Sequence, residues 1–306
     1  MKAIVSILKD NLSIIKATLL LSSKPTTSLH VAVLRATTHR HQEDPPPVDA
    51  VLALAHHHRP STAGVLIHAL LRRVHGTHNV YVALKCLVTI HHAITRGSPA
   101  LKDHILGYSS GPLFNLSGFI DGSDRDTWEL SKWVRWYADV LDYGLALSRR
   151  NENRAAKKLS CFVVMIEKIC GAPDSLHYQK ISLIHEIIKL VGEDYRIIMR
   201  EINSNLNQFQ FAEKSIEKLN HEVLQELLDN LKRIEDCKQK LLLMFLNKKK
   251  NDGIWELIEE LRKKVEEVKQ KKEENSSQSR SLVIVPPPRV KRWLDVEWNP
   301  LVASLA

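Results

Sequence analysis

The sequence predicts an all-α protein, an irregular superhelical stack of helical hairpins that ends in a disordered tail. Three observations carry that prediction. Apolar residues recur at three- and four-residue spacing through most of the 306 residues, no short segment alternates strictly between apolar and polar, and glycine is scarce at 11. With 44% apolar and 26% charged residues, the composition is that of a globular chain able to bury a sizeable core.

The first element spans residues 3–21. Ile4, Leu8, Leu12, Ile15 and Leu19 form an apolar stripe, and Lys2, Lys9 and Lys16 recur every seven residues on another face. That lysine row fits a ridge for anionic headgroups and equally an ordinary solvated face. A short helix follows over 30–38, closed by a polar run and by Pro45-Pro46-Pro47, which forces extended backbone. Helices at 48–57 and 62–75 lead to the most apolar one, Tyr81 to Thr95. With no polar stripe, that helix requires neighbours on every side and is expected at the centre of the stack. Gly97 is expected to end it in a left-handed cap, with Pro99 blocking continuation. A short helix at 100–107 comes next, then a helix start at Pro112, then a longer helix over 128–149 whose aromatics sit three to four apart, as in packing.

Residues 151–158 are polar and basic and mark a boundary, giving a core at 1–150 and a helical extension at 151–274. Helices are predicted at 159–170, 176–191, 193–208, 212–247 and 254–274. The long one is striped by Ile216, Leu219, Val223, Leu227, Leu231 and Ile234. In the last, Ile254, Ile258, Leu261, Val265 and Val268 suit docking on the preceding helix. No strict internal repeat is present. From 275 to 306 the helical period is lost, and a flexible tail able to present short motifs is expected.

Four segments in order, RATTH (35–39), ALKCLVTIHH (83–92), LFNLSGFID (113–121) and WVRWYADVL (133–141), resemble the ANTH domain of the clathrin assembly proteins in its plant form. The resemblance implies an ENTH/VHS-like N-terminal part continued by longer C-terminal helices. It also implies a non-catalytic endocytic adaptor, with a packed structural role for His91 and His92. Relatives bind phosphatidylinositol bisphosphate through a pattern of Lys, nine residues, Lys, one residue, Lys or Arg, then His. Laid from the RATTH anchor, that pattern keeps only Arg35; the next three positions fall on Pro45, Pro47 and Val48. Substitutes lie nearby in His39, Arg40, His41 and Arg59. Histidines are largely neutral near pH 7, and a surface cation contributes only about 1 kcal/mol beside an anionic membrane, so weak binding is expected, assisted by Lys2, Lys9 and Lys16.

In the tail, Trp293-Leu294-Asp295-Val296-Glu297 satisfies the clathrin box of such adaptors except at the first position, where Trp replaces Leu. The partners implied are the clathrin heavy chain, acidic phospholipid and vesicle SNARE cargo, met by a monomer at coated pits and vesicles of the plasma membrane or Golgi apparatus. A net charge of +9 also suits a helical nucleic-acid binder, but no recognition helix or RNA signature accompanies it. A scaffold of the same fold that has lost phosphoinositide binding is the other alternative.

Catalytic signatures are weak. Gly107-Tyr108-Ser109-Ser110-Gly111 fits G-x-S-x-G in form, but no strand is predicted before it. No phosphate-binding loop or HExxH occurs, and His56-His57-His58 and His91-His92 cannot converge on one ion from adjacent helical positions. Neither a metal nor a cofactor is expected. Cys161 and Cys170 would stand about 13 Å apart along one helix, too far for a disulfide, and free thiols in a reducing compartment are expected. Lys9, Asp10 and Lys16 interrupt the first apolar run and no small-residue cleavage site follows, so the sequence predicts a cytosolic, peripheral protein rather than a secreted one.

Overall fold

A computed structural model describes residues 2–20, 24–39, 44–56, 61–108, 111–150, 155–174, 180–211, 216–217, 219–245 and 252–281. Eleven α-helices and no strand occur among them. In chain order they are α1 Lys2–Leu20, α2 Lys24–Ala36, α3 Val48–His56, α4 Ser61–His75, α5 Val80–Arg96, α6 Pro99–Leu106, α7 Arg125–Arg149, α8 Ala155–Cys170, α9 Ser182–Phe211, α10 His221–Met244 and α11 Asp252–Ser281. The predicted all-α stack is the architecture observed.

Helix α5 is the axis of the stack. Every residue from Val80 to Ala93 is buried, and α2, α3, α4, α6, α7 and α9 pack around it. Its N-terminus is held twice: the Asn79 side chain accepts from the Val82 N–H at 3.1 Å, and the buried Asp121 carboxylate accepts from the Val80 N–H at 2.9 Å. The paired histidines join α5 to its neighbours. The His91 ring lies 2.8 Å from the Tyr137 hydroxyl and 3.1 Å from Asp194, while His92 lies 3.2 Å from Glu186. Burial, partly offset by Glu186, lowers the His92 pKa.

At the other end of α5 the expected left-handed cap is not what occurs. Gly97 is extended, with φ −68° and ψ 163°. Glycine is required there for space: a Cβ would lie 2.1 Å from the Ala93 carbonyl oxygen and 2.8 Å from Leu101. Pro99 then opens α6 behind a Ser98 cap.

The LFNLSGFID segment is a pinned loop, and no helix starts at Pro112. Phe114 is fully buried, Asn115 adopts a left-handed φ of 45°, and Asp142 of α7 accepts from the Leu113 and Phe114 N–H groups at 2.6 and 3.2 Å. His75 and Arg135 bond the carbonyls of Phe114 and Phe119. With its backbone groups claimed from outside, the segment gains nothing from helix formation. Helix α7 begins instead at a capping box formed by Asp124 and Thr127.

In the C-terminal half, α9 runs unbroken through Gly192, where two helices were expected. The Phe245 ring lies against that glycine, 3.1 Å from where a Cβ would stand, and stacks on Tyr195 at 4.9 Å. Helix α10 starts at 221 rather than 212 because Asn220 caps it. Helix α11 extends past 274 to Ser281 and buries Trp255, Ile258, Leu261 and Val265 against α9 and α10.

All four cysteines are free, with Cys86 and Cys237 buried. Burial pushes both thiols up to about 12, which makes them inert at neutral pH. Ser109 and Ser110 of the G-x-S-x-G match lie outside the described residues, and Gly107 caps α6 rather than a strand. The described residues contain no group of His, Cys, Asp and Glu able to hold a metal ion.

Candidate membrane-facing site

The described candidate lipid residues fall on α1, α2 and the turn at 37–39, and the structure separates them. Thr37 is fully buried; its hydroxyl donates to the Val33 carbonyl at 2.7 Å and accepts from Arg73 of α4 at 3.0 Å. His39 turns inward as well. Its N–H donates to Asp10 of α1 at 2.7 Å, and its ring Nδ1 lies 2.8 Å from the other oxygen of the same carboxylate. Arg73 reaches that carboxylate at 3.3 Å and the Thr37 carbonyl at 2.9 Å. Asp10 is buried, so the RATTH run acts here as a clasp joining α1, α2 and α4. His39 is therefore already partnered inside the fold.

Below the clasp, the buried Lys85 ammonium lies 3.4 Å from the Thr38 carbonyl. Burial lowers its pKa to about 8, against the opposing pull of Asp44 and Asp10. A buried cation in α5 is tolerated because the carboxylates of Asp44 and Asp10 stand near it.

Arg35 stands apart on the exposed side of α2. It lines a groove of about 550 Å³ with Ser28, Ala32, Pro47, Ala50 and Leu54, and it is the one cation in that lining. This is where the ANTH-type basic pattern would lie. The positions that would add lysines are Pro45, Pro47 and Val48, and Val48 is buried.

Lys16 belongs to a different and larger cleft, about 1220 Å³, between α1, α2, α4, the turn at 76–79 and the loop at 120–123. Arg72 and His78, which sequence reasoning passed over, line it too. The available signal was the crowding of Arg72, Arg73, His75 and His78 around the end of one helix. Lys2 and Lys9 lie on α1, but their side chains are outside the described set, as are Arg40, His41 and Arg59 altogether. Trp293, Leu294, Asp295, Val296 and Glu297 lie outside the described residues as well.

The stripe on α1 departs most from expectation. Leu8, Leu12 and Ile15 are 54%, 56% and 52% exposed, although they are the residues that ordinarily face a core. Helix α1 rests chiefly on α2, and Ile120, 57% exposed, extends the apolar surface across the cleft. No described helix is long and apolar enough to cross a membrane. The described residues define an all-α module whose first helix exposes Leu8, Leu12 and Ile15 beside a cleft that holds Lys16, Arg72 and Arg73.

Comparison with known proteins places this module. A model of the ANTH domain matches residues 28–252. An Arabidopsis thaliana protein provisionally named a clathrin assembly protein is 32% identical over 292 residues, covering 83% of this chain and 78% of the relative. A second so named in the same plant is 28% identical over 287 residues, covering 84% of each. The chain belongs to the ANTH-domain family. Helix α1 lies outside the matched segment.

Proposed function

We propose that this protein is a non-catalytic clathrin assembly adaptor that links acidic phosphoinositide membrane to clathrin. The observation that carries the membrane half is the exposed Leu8-Leu12-Ile15 stripe. Moving the exposed halves of three such side chains out of water is worth roughly 2–4 kcal/mol, comparable with several surface cations at about 1 kcal/mol each. The binding mode is peripheral: α1 lies in the interface plane and the folded stack remains in the aqueous phase. The clathrin half rests on the names of the relatives and on Trp293–Glu297. Contact with SNARE cargo, action as a monomer, and residence at coated pits or vesicles of the plasma membrane or Golgi complete the reading. Each contact is weak, and tethering raises the effective concentration of the others.

Sedimentation of the full chain with vesicles, with and without phosphatidylinositol bisphosphate, tests the membrane half; absence of binding at low salt removes it. A pull-down of clathrin heavy chain with a peptide covering 282–306, beside Leu294→Ala plus Val296→Ala, tests the other half. Equal recovery by both peptides removes the motif. The isolation of Arg35 favours one second reading, a scaffold of the same fold without phosphoinositide preference. That reading predicts equal binding to vesicles of equal charge with and without the bisphosphate.

A further inference from the structure

We infer that Ser123 is a phosphorylation site for an acid-directed protein kinase, and that Lys16, Arg72 and His78 hold the phosphate it acquires. Sequence singles out this serine first. Asp124 and Asp126 follow it, and no other serine or threonine in the 306 residues has a carboxylate one or three positions on. A kinase with a cationic substrate groove selects its serine by acidic side chains at those positions, through charge-assisted contacts.

The fold leaves that run accessible. Residues 122–126 are all exposed, and Ser123 lies outside any helix, in the loop that leads to α7. The other exposed serine outside a helix among the described residues is Ser117, and Gly118, Phe119 and Ile120 follow it. Helix ends fray, so an extended fit in the kinase needs only the first turn of α7 to open. The Ser123 Oγ then attacks the γ-phosphorus of ATP. An Oγ–P bond forms as the bond to the β-phosphate oxygen breaks, ADP leaves, and the hydroxyl proton passes to the kinase's catalytic carboxylate.

Where the phosphate goes follows from the cleft between α1, α2 and α4. Ser123 is part of its lining, and so are Lys16, Arg72 and His78. These three are exposed and have no hydrogen-bond or ion-pair partner among the described residues. The carboxylates in the lining are engaged elsewhere: Asp10 with His39 and Arg73, Asp121 with the N–H groups of Val80 and Ser123. A phosphoserine adds about 1.5 to 2 negative charges near pH 7 and three acceptor oxygens. Beside Asp124 and Asp126 alone that charge is repelled, and the cations of the cleft supply what offsets it. Ser123 also stands one residue before the Asp124 cap of α7, where the positive end of the helix dipole favours an anion.

Phosphorylation thus ties the loop at 120–123 to α1 through Lys16 and to α4 through Arg72. A consequence for membrane binding follows, and this part rests on the peripheral-membrane reading. The tie occupies Lys16 and adds negative charge beside the exposed Leu12 and Ile120, so it turns the chain away from acidic membrane.

The test treats the full chain with casein kinase 2, ATP and magnesium and maps the product by mass spectrometry. One phosphoryl group at Ser123 is expected, and none in Ser123→Ala. A peptide covering 117–130 is the unfolded control. Phosphorylation of the peptide but not of the chain would overturn the site, as would phosphorylation confined to other residues. Phosphorus NMR titration reads the hold on the phosphate. Its second pKa should lie below the ordinary value of about 6 and return to it in Lys16→Ala plus Arg72→Ala. Arg72→Lys should keep the lowered value, because the charge is kept. An ordinary value in the natural chain means that the phosphate points into solvent, and it overturns the tie.

Sedimentation with phosphatidylserine vesicles reads the consequence. Phosphorylation should weaken binding at least about fivefold, the worth of one cation near the membrane, and kinase treatment of Ser123→Ala should change nothing. Equal binding before and after phosphorylation overturns the consequence. No vesicle binding by the natural chain sinks the membrane reading and the consequence together, while the mass and NMR results decide the site and the tie by themselves.

Discussion

Helices α1 and α5 are both rich in apolar residues and meet opposite fates. In α5 every residue from 80 to 93 is covered, including Lys85, Thr89 and both histidines. In α1 the described stripe residues Leu8, Leu12 and Ile15 look outward, while Asp10, which interrupts the apolar run, is buried. The contrast shows that a stripe states the need for cover without naming what provides it. For α5 the cover is six other helices of the same chain. For α1 the chain supplies packing on α2 and a carboxylate clasp, and Leu8, Leu12 and Ile15 stay exposed.

The sharpest way to break this comparison is truncation in α5. Leu87 is fully buried at the centre of the stack, and Leu87→Ala should cost about 2–5 kcal/mol through lost transfer energy and the cavity left behind. Urea unfolding followed by circular dichroism measures it. A loss below about 1 kcal/mol would mean that α5 is not the axis on which the other helices depend.

The clasp should matter next. Asp10→Ala removes the acceptor shared by His39 and Arg73 and leaves partly buried donors unmatched, at roughly 1.5–3 kcal/mol. The same variant should free α1, so limited proteolysis should cut near residues 20–24 well before the rest of the stack. Uniform proteolysis would show that α1 is held by apolar packing instead.

Lys85 gives a smaller effect with a distinct pH signature. Its folded pKa, about 8, lies below the ordinary lysine value of 10.5, so between those limits the unfolded chain binds more protons than the folded one. Stability should therefore rise as pH increases from about 8 to 10.5. Lys85→Met should flatten that rise and gain about 1–2 kcal/mol at pH 7, after allowance for solvent screening. An unchanged slope would indicate that the ammonium reaches water.

Much of the stack was legible because covering a helix on all sides and docking an amphipathic one leave direct marks in the spacing. The central helix, the α7 aromatics and the stripe of α11 are such cases. The errors share a cause: local residues took their meaning from distant partners. Gly97 looked like a left-handed cap, but its role depends on Leu101 and the Ala93 carbonyl. Gly192 looked like a break because the Phe245 ring, 53 residues on, could not be foreseen. Pro112 looked like a helix start because the hold of Asp142 on the loop is invisible at short range. The candidate site was legible only as a supply of cations. Lys16 and Arg35 were found, but their separation onto different faces, the inward turn of His39, and the joining of Lys16 with Arg72 and His78 belong to the packing of α1, α2 and α4.

The smallest expected change in stability is also the most informative about α1. Leu8→Gln plus Ile15→Gln replaces two exposed apolar side chains with polar ones of similar or better helix propensity. Surface changes of this kind usually stay within about 0.5 kcal/mol each, so the urea midpoint should barely move. Vesicle binding should fall at least tenfold, because about half of each side chain is withdrawn from the acyl boundary, at roughly 0.8–1.5 kcal/mol apiece. The two readouts must separate for the comparison to hold. If the pair destabilises the fold as a core truncation does, the stripe is covered by the chain itself. If neither stability nor binding moves, the stripe is exposed without being used, and the difference between α1 and α5 is only one of position in the stack.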